Sequence, residues 1–201
     1  FTPRMKELLY KRIKDNHLYV WQVTSCSKDL IPKVHLAKEE QNEFRVLKTE
    51  KRKVEFLACR LALKTVFSDK LILQHLKSGK PFIDEVPHIS ISHSNNYIAI
   101  VFGKENIGLD IELPQEKMQS IISRVLSADE YNLFLKNPSA ILACKLWGIK
   151  EATLKYIGDK KLSFRQDIKI NKDSISCLNH QLAVHHEIVD QMIVTYVKNK
   201  I

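Results

Sequence analysis

The sequence predicts an α+β protein of two pseudo-symmetric halves, each a small, mainly antiparallel sheet packed with a long helix. Three observations carry that expectation. The apolar period alternates between two and the helical value, and the cycle of strand, helix and strands runs through the 201 residues roughly twice. Two long apolar-periodic segments, 39–67 and about 137–157, read as helices. Tight turn signals separate the remaining short, β-branched runs.

Taken in order, His17 to Thr24 is rich in β-branched and aromatic residues and reads as a strand after the Asp15-Asn16 turn. In 39–67, Leu47, Val54, Leu57, Leu61 and Ala62 recur at separations of three, four and seven, with no Gly or Pro to interrupt them. Ser78-Gly79-Lys80-Pro81 is a turn. Ile89 and Ile91 alternate with Ser90 and Ser92, Asn95-Asn96 turn into Tyr97 to Phe102, and Ile107 to Glu112 alternates again, so these three strands read as an antiparallel meander. Pro114 ends that run and two helices follow. The second starts at Ser127, where Ser-Ala-Asp-Glu fits a capping box closed by Glu130. The long helix starts near Asn137-Pro138 and stops at Gly158. Asp167–Ile170, Ser174–Cys177, Ala183–Val189 and Met192–Val197 are strands by alternation. The halves, 1–103 and 104–201, meet near residues 103–106 with no Ser/Gly/Pro-rich linker, so they are expected to pack closely.

Composition narrows the class. With 44% hydrophobic and 27% charged residues the chain is neither disordered nor fibrous. No stretch approaches the ~18 apolar residues of a membrane helix, and the basic N-terminus, with Arg4, Lys6, Lys11, Arg12 and Lys14, lacks a signal peptide's apolar run. A soluble, cytoplasmic protein with no membrane partner is expected. Cys26, Cys59, Cys144 and Cys177 are scattered without a CxxC or a zinc-like His spacing, so reduced core thiols are expected rather than disulfides or structural zinc. The net charge of +9 is uneven. Residues 1–103 hold 18 Lys and Arg against 11 Asp and Glu, and residues 104–201 hold 14 against 12. A basic first half invites an anionic partner: nucleic acid, a phospholipid surface or a phosphorylated small molecule.

Three pieces carry chemistry. In Ile107-Gly108-Leu109-Asp110-Ile111-Glu112, strand alternation sends the apolar residues to one face, and Asp110 and Glu112 to the other, about 7 Å apart, where they can share one hard cation or form a solvated acidic face. In Trp147-Gly148-Ile149-Lys150-Glu151-Ala152-Thr153-Leu154-Lys155, helical spacing aligns Trp147, Glu151 and Lys155 on one face, as a reactive set or as a core anchor beside a Glu-Lys pair. Gly79-Lys80-Pro81 and Ile89-Ser90-Ile91-Ser92-His93-Ser94 offer ammonium, hydroxyl and imidazole donors for phosphate oxygens, and His93 is otherwise a satisfied structural residue. A Ser-His-Asp hydrolase is the rival chemistry, but its GxSxG elbow is absent.

Together these pieces resemble the 4'-phosphopantetheinyl transferases of the surfactin-synthetase-activating type and holo-acyl-carrier-protein synthase. Gly108, Asp110 and Glu112 match GxDxE, Trp147, Lys150, Glu151, Ala152 and Lys155 match WxxKEAxxK, and the GKP and ISHS elements stand in family order. The resemblance implies transfer of the phosphopantetheine arm of coenzyme A, the co-substrate, to a serine of an apo acyl or peptidyl carrier protein, with release of 3',5'-ADP and Mg²⁺, or Mn²⁺, as cofactor. It places Asp110, Glu112 and Glu151 on the metal and Lys155 on the diphosphate, with Lys150 in the same motif. Lys80 and Pro81 lie on the adenine side, and Ser92 and His93 on coenzyme A phosphates. Glu130 or Glu151, or a metal-bound water they orient, is the general base; for Glu130 the capping box stands as the alternative. For the 3'-phosphate the nearest matches are Lys51, Arg52 and Lys53, with Arg45 and Arg60 also candidates; a solvated helix face or carrier docking is the alternative for these charges. The division of labour among Lys28, Lys33 and that helix carries no signature. Leu109 stands where Ile or Val is more usual. The first half thus becomes the coenzyme A side and the second the carboxylate side. A monomer is expected, because two halves supply a cleft within one chain. The rival of a different class is a basic nucleic-acid-binding protein without catalysis. Against it, no RRM, KH, zinc-finger or helix-turn-helix signature is present, and Asp110 and Glu112 would repel a phosphate backbone, so no nucleic-acid partner is expected.

Overall fold

The structure, a computed structural model, describes residues 5–67, 73–76 and 78–200. Its first element is a strand that period-two alternation does not announce. β1 (Met5–Ile13) pairs antiparallel with β2 (Asn16–Val23), and a bulge between Glu7 and Leu9 shifts the register. Lys6, Glu7, Lys11 and Arg12 break the apolar alternation, which an edge strand tolerates. A short helix α1 (Ser27–Leu30) and a 3₁₀ turn (Ile31–Lys33) follow.

The expected helix over 39–67 is two helices, α2 (Lys38–Arg45) and α3 (Glu50–Val66). At the break Thr49 takes an extended backbone, and its hydroxyl accepts from Arg52 N–H at 3.3 Å, capping a fresh N-terminus. Val46 in the connection is 74% exposed, so the apolar spacing through 46–49 marks no buried stripe.

The strands β3 (Gln74–His75) and β4 (Pro81–Phe82) form a small hairpin around the expected turn. β5 (His88–Ser94) and β6 (Tyr97–Gly103) pair antiparallel as expected. β7 (Ile107–Glu112) corrects the three-strand meander, because it leaves β6 and pairs instead with the last strand of the chain. Alternation fixed which residues of β7 share a face, but a partner more than 80 residues downstream leaves no local trace.

Next come α4 (Lys117–Ile121), a 3₁₀ turn (Ile122–Arg124), α5 (Ala128–Phe134) and α6 (Ala140–Ile157). Ser127 caps α5 in the expected capping box. The long helix α6 starts later than Asn137-Pro138 predicts, since the hydroxyl of Ser139 takes the Leu142 N–H at 3.1 Å. Gly158 ends it in the left-handed region. The strands β8 (Ile168–Ile170), β9 (Ile175–Cys177), β10 (His180–Val189) and β11 (Met192–Asn199) complete the chain.

Among the described residues the strands form a four-stranded sheet, β1-β2-β6-β5, a five-stranded sheet, β7-β11-β10-β9-β8, and the small hairpin. Alternation decides the layers. Leu18, Val20, Ala99 and Val101 of the first sheet meet Leu109, Ile111, Met192 and Val194 of the second in one shared core. Their opposite neighbours Trp21, Ile98 and Ile100 pack against Leu57, Ala58 and Ala62 of α3, and Val197 and Ile168 pack against Ile149 and Ala152 of α6. Helix, sheet, sheet and helix are thus stacked, and each fully buried aliphatic contributes about 1.5–3 kcal/mol.

At one side the edge strands β5 and β7 run next to each other without a backbone ladder. Serine hydroxyls fill the gap: Ser90 Oγ accepts from Leu109 N–H at 3.1 Å, and Ser92 Oγ from Ile111 N–H at 3.2 Å. Buried edge N–H groups need such partners. Gly108 brings β7 against α6 so closely that a Cβ there would collide with the Ala152 carbonyl and stand 2.7 Å from Tyr156 N.

All four cysteines are thiols, with Cys26 exposed and Cys59, Cys144 and Cys177 buried. Among the described residues no helix is long and apolar enough to cross a membrane.

Candidate active site

The side of β7 that faces α6 carries Asp110 and Glu112, and the helical spacing of four brings Glu151 and Lys155 to the same place. Asp110 is only 4% exposed. Its Oδ1 accepts from Lys155 Nζ at 2.9 Å and from Ser92 Oγ at 2.9 Å, and Lys155 Nζ also donates to Ser92 Oγ at 2.8 Å. One turn along the seam Ser94 Oγ donates to Glu112 Oε2 at 2.7 Å. The β5 serines therefore serve both as edge partners and as donors to the carboxylates. Asp110 Oδ2 is buried with no hydrogen-bond partner among the described residues.

The electrostatics of this cluster are those of acids held together. Burial raises Glu112 and Glu151 above the usual carboxylate range and the charge of Asp110 adds to it; Lys155 opposes the shift in both, and in Glu112 the hydrogen bond from Ser94 opposes it more strongly. Three carboxylates with one ammonium have room for further positive charge. Among the described residues no three such groups close around a point by themselves. An all-oxygen set that leaves positions for water and phosphate oxygens suits Mg²⁺, and Asp110 Oδ2 is an orphan acceptor of the kind a cation satisfies.

Two cavities flank the cluster. One, of about 450 Å³, is lined by Phe56, Arg60, His75, Lys80, Pro81, Ser90, Ile91, Glu151, Leu154, Lys155 and Lys160 among others. The other, of about 410 Å³, is lined by Lys51, Ser94, Glu112, Leu113, Lys117, Met118, Ile121 and Trp147 among others. Arg52, Glu55 and His93 line both and form the partition. Glu55, 8% exposed, is paired with Arg52 at 3.3 Å, Lys51 at 3.9 Å and His93 at 3.7 Å. Sequence reasoning passed over Glu55, although its spacing of three and four from Arg52 and Lys51 is legible. Burial lowers His93, and Glu55 opposes that shift.

Other predicted residues stand elsewhere. Lys150 is fully buried, and its ammonium donates to both oxygens of Glu130, at 3.0 and 2.7 Å, and to the carbonyls of Phe164 and Ile168. Glu130 also accepts from Ser127 N–H and Ile170 N–H, and neither Lys150 nor Glu130 lines either of these two cavities. Lys80 lines the first cavity, but its ammonium is engaged by Asn106 Oδ1 and the Tyr156 carbonyl, both at 3.2 Å. Arg60 is held by Glu40 at 3.0 Å and Glu43 at 3.5 Å and lies 3.5 Å over the Phe56 ring. Arg45, Lys53, Lys28 and Lys33 line neither cavity.

The family model of the 4'-phosphopantetheinyl transferase superfamily matches residues 106–192, which run from β7 through β10 to the first residue of β11 and include both carboxylate motifs. The chain is 37% identical over 86 residues to a holo-[acyl-carrier-protein] synthase of Staphylococcus haemolyticus, covering 35% of this chain and 72% of that protein. It is 32% identical over 108 residues to the 4'-phosphopantetheinyl transferase Sfp of Bacillus subtilis, covering 51% of this chain and 45% of the relative. To the 4'-phosphopantetheinyl transferase psf-1 of Bacillus pumilus it is 30% identical over 95 residues, covering 45% and 41%. The match thus spans less than half the length of these two Bacillus relatives.

Proposed function

Because the chain belongs to the 4'-phosphopantetheinyl transferase superfamily, we propose that it moves the phosphopantetheine arm of coenzyme A onto a serine of an apo acyl or peptidyl carrier protein and releases 3',5'-ADP. The observation that carries this reading is the Asp110, Ser92 and Lys155 cluster, set between two cavities with Glu112 and Glu151 beside it. The cavity lined by Lys155 and Lys80 takes coenzyme A. The one lined by Glu112, Leu113, Met118 and Trp147 receives the acceptor serine and the surface that presents it.

Asp110, Glu112 and Glu151 would hold Mg²⁺, which supplies charge neutralisation for the diphosphate as its bond breaks. Lys155 holds a diphosphate oxygen through its ammonium and steadies the leaving group; Ser92 keeps that ammonium beside Asp110. The proton of the acceptor hydroxyl goes to Glu151, which lines the coenzyme A cavity beside Lys155. Glu130 has its lone pairs filled by Lys150 and backbone N–H groups, so it serves the scaffold. Residues 1–103 supply most of the coenzyme A cavity, and residues 104–201 the carboxylates and Lys155.

Incubation with coenzyme A, Mg²⁺ and a panel of apo carrier proteins tests the reading by mass spectrometry. One phosphopantetheine mass appears on at least one carrier, and Glu151→Ala abolishes it while the melting curve stays cooperative. Failure to modify any carrier overturns the proposal, and full activity in Glu151→Ala overturns the assignment of Glu151.

A further inference from the structure

The partition between the two cavities carries a carboxylate where the helix pattern calls for an apolar residue. Glu55, Ala58 and Ala62 of α3 are spaced by three and four, and Ala58 and Ala62 are fully buried against the first sheet. Glu55 continues that stripe to the end of β5. There alternation sends Ile89 and Ile91 toward α3 and Ser90, Ser92 and Ser94 toward β7, so the next residue to face α3 is His93. Its Nδ1 lies 3.7 Å from Glu55 Oε1. An ionised group on a buried stripe costs free energy that an apolar side chain does not. Departures of this kind from the local rule concentrate at functional sites.

What the carboxylate does there follows from its partners. Arg52 Nη1 donates to Glu55 Oε2 at 3.3 Å, and Lys51 Nζ lies 3.9 Å from Oε1. The anion is the buried member of the set and its cations are the open ones, with side chains 66% exposed at Arg52, 67% at Lys51 and 36% at His93. Glu55 thus holds from beneath a group of cations that face the cavities. His93 depends on it most. Burial disfavours the charged imidazole, as do Lys155 of α6 and Arg52 and Lys51 of α3, and Glu55 is the group that favours it. Glu151 and Glu112 line the cavities to either side. Among the described residues Arg52, Glu55 and His93 alone line both cavities.

With donor in one cavity and acceptor in the other, the phosphate that changes partners has to stand where the two join. Resting on that transferase reading, we propose that Glu55 is a positioning residue for the transferred phosphate: it holds the Arg52 guanidinium and the His93 imidazole at the junction, where both contact the non-bridging oxygens. As the acceptor oxygen bonds to phosphorus, the bond to the 3',5'-ADP oxygen breaks and the hydroxyl proton goes to Glu151; Glu55 takes part in neither bond. It acts by keeping the phosphate in line between the attacking and leaving oxygens. The rest of the donor is gripped elsewhere in its cavity, so the loss of Glu55 falls on kcat rather than on KM.

Carrier-modification kinetics and melting curves are compared for the wild type, Glu55→Gln, Glu55→Asp, Arg52→Gln and the double variant Glu55→Gln/Arg52→Gln. For Glu55→Gln, kcat falls about tenfold while KM for coenzyme A stays within about twofold. Glu55→Asp recovers part of the loss. Arg52→Gln alters an exposed side chain, so the fold is kept, and kcat falls in the same sense. The double variant is no slower than Glu55→Gln alone, because both changes act through one set of contacts. Independently of activity, NMR of the His93 ring, assigned with His93→Gln and recorded without Mg²⁺, shows its titration midpoint at lower pH in Glu55→Gln than in the wild type, since the group that favours the charged ring is gone. Wild-type kcat in Glu55→Gln or Arg52→Gln, a loss confined to KM, or a double variant that multiplies the two single losses overturns the assignment. If the wild type modifies no carrier, the transferase reading fails and the role in transfer falls with it; the NMR pair still decides whether Glu55 holds His93, and an unmoved midpoint refutes that.

Discussion

Glu130 and Glu151 have the same side chain and opposite surroundings. Glu130 is 8% exposed and faces an ammonium and two backbone N–H groups; burial alone would raise it, but these donors outweigh burial and hold it below the usual carboxylate range. A carboxylate lowered in the folded state contributes stability that is present above its unfolded pKa, about 4.3, and is lost as pH falls through the lower folded value. Glu130→Gln leaves the Lys150 ammonium buried without its counter-charge, which costs about 3–5 kcal/mol. Urea denaturation at pH 7 measures that loss, and the gap from wild type narrows in acid, where wild-type Glu130 is protonated too. An unchanged midpoint at pH 7 removes the pair from the scaffold. The capping box was legible in Ser-Ala-Asp-Glu, because it is local. The Lys150 partnership was not, since it joins two elements 20 residues apart, and nothing in the WxxKEAxxK pattern says that its first lysine turns away from the cleft.

At the scale of elements, the approach of β7 to α6 sets the distance from Asp110 to Lys155. Gly108→Ala forces a methyl group against the Ala152 carbonyl, a backbone atom that cannot step aside without moving the helix. Overpacking of this kind costs about 1–3 kcal/mol, occasionally more. The expected outcome is a lower melting temperature together with reduced transfer at temperatures where the variant is still folded; stability and transfer both at wild-type level would show that the helix position is not set here. Elements with a clean period, β2, β5, β6, α5 and most of α6, were readable from the sequence. The rest escaped for identifiable reasons. Charges and a bulge hide β1, the Leu47 and Val54 spacing runs across a Thr49 cap, and β7 takes its partner from the far end of the chain.

For the whole molecule, the shared core between the sheets argues for one folding unit. Leu18, Val101, Leu109, Ile111 and Val194 are each fully buried, and each sheet provides part of that interior. The two tryptophans report on opposite layers: Trp21 lies between the first sheet and α3, and Trp147 on α6 packs edge-on to Phe164 at 6.4 Å. Within each variant that retains a single tryptophan, its fluorescence and the far-UV circular dichroism are expected to give coincident denaturation midpoints. Midpoints that separate would mean two independently stable halves.

The hydroxyl seam between β5 and β7 has a consequence for precision. A backbone ladder would lock the two edges but leave the carboxylates to be positioned separately. Here Ser92 Oγ touches the Ile111 N–H, the Asp110 carboxylate and the Lys155 ammonium together, so it acts as an alignment pin. Any slip of one sheet along the other is read out directly as misplacement of Asp110. The tolerance of the chemistry thereby becomes the tolerance with which the two sheets are mated.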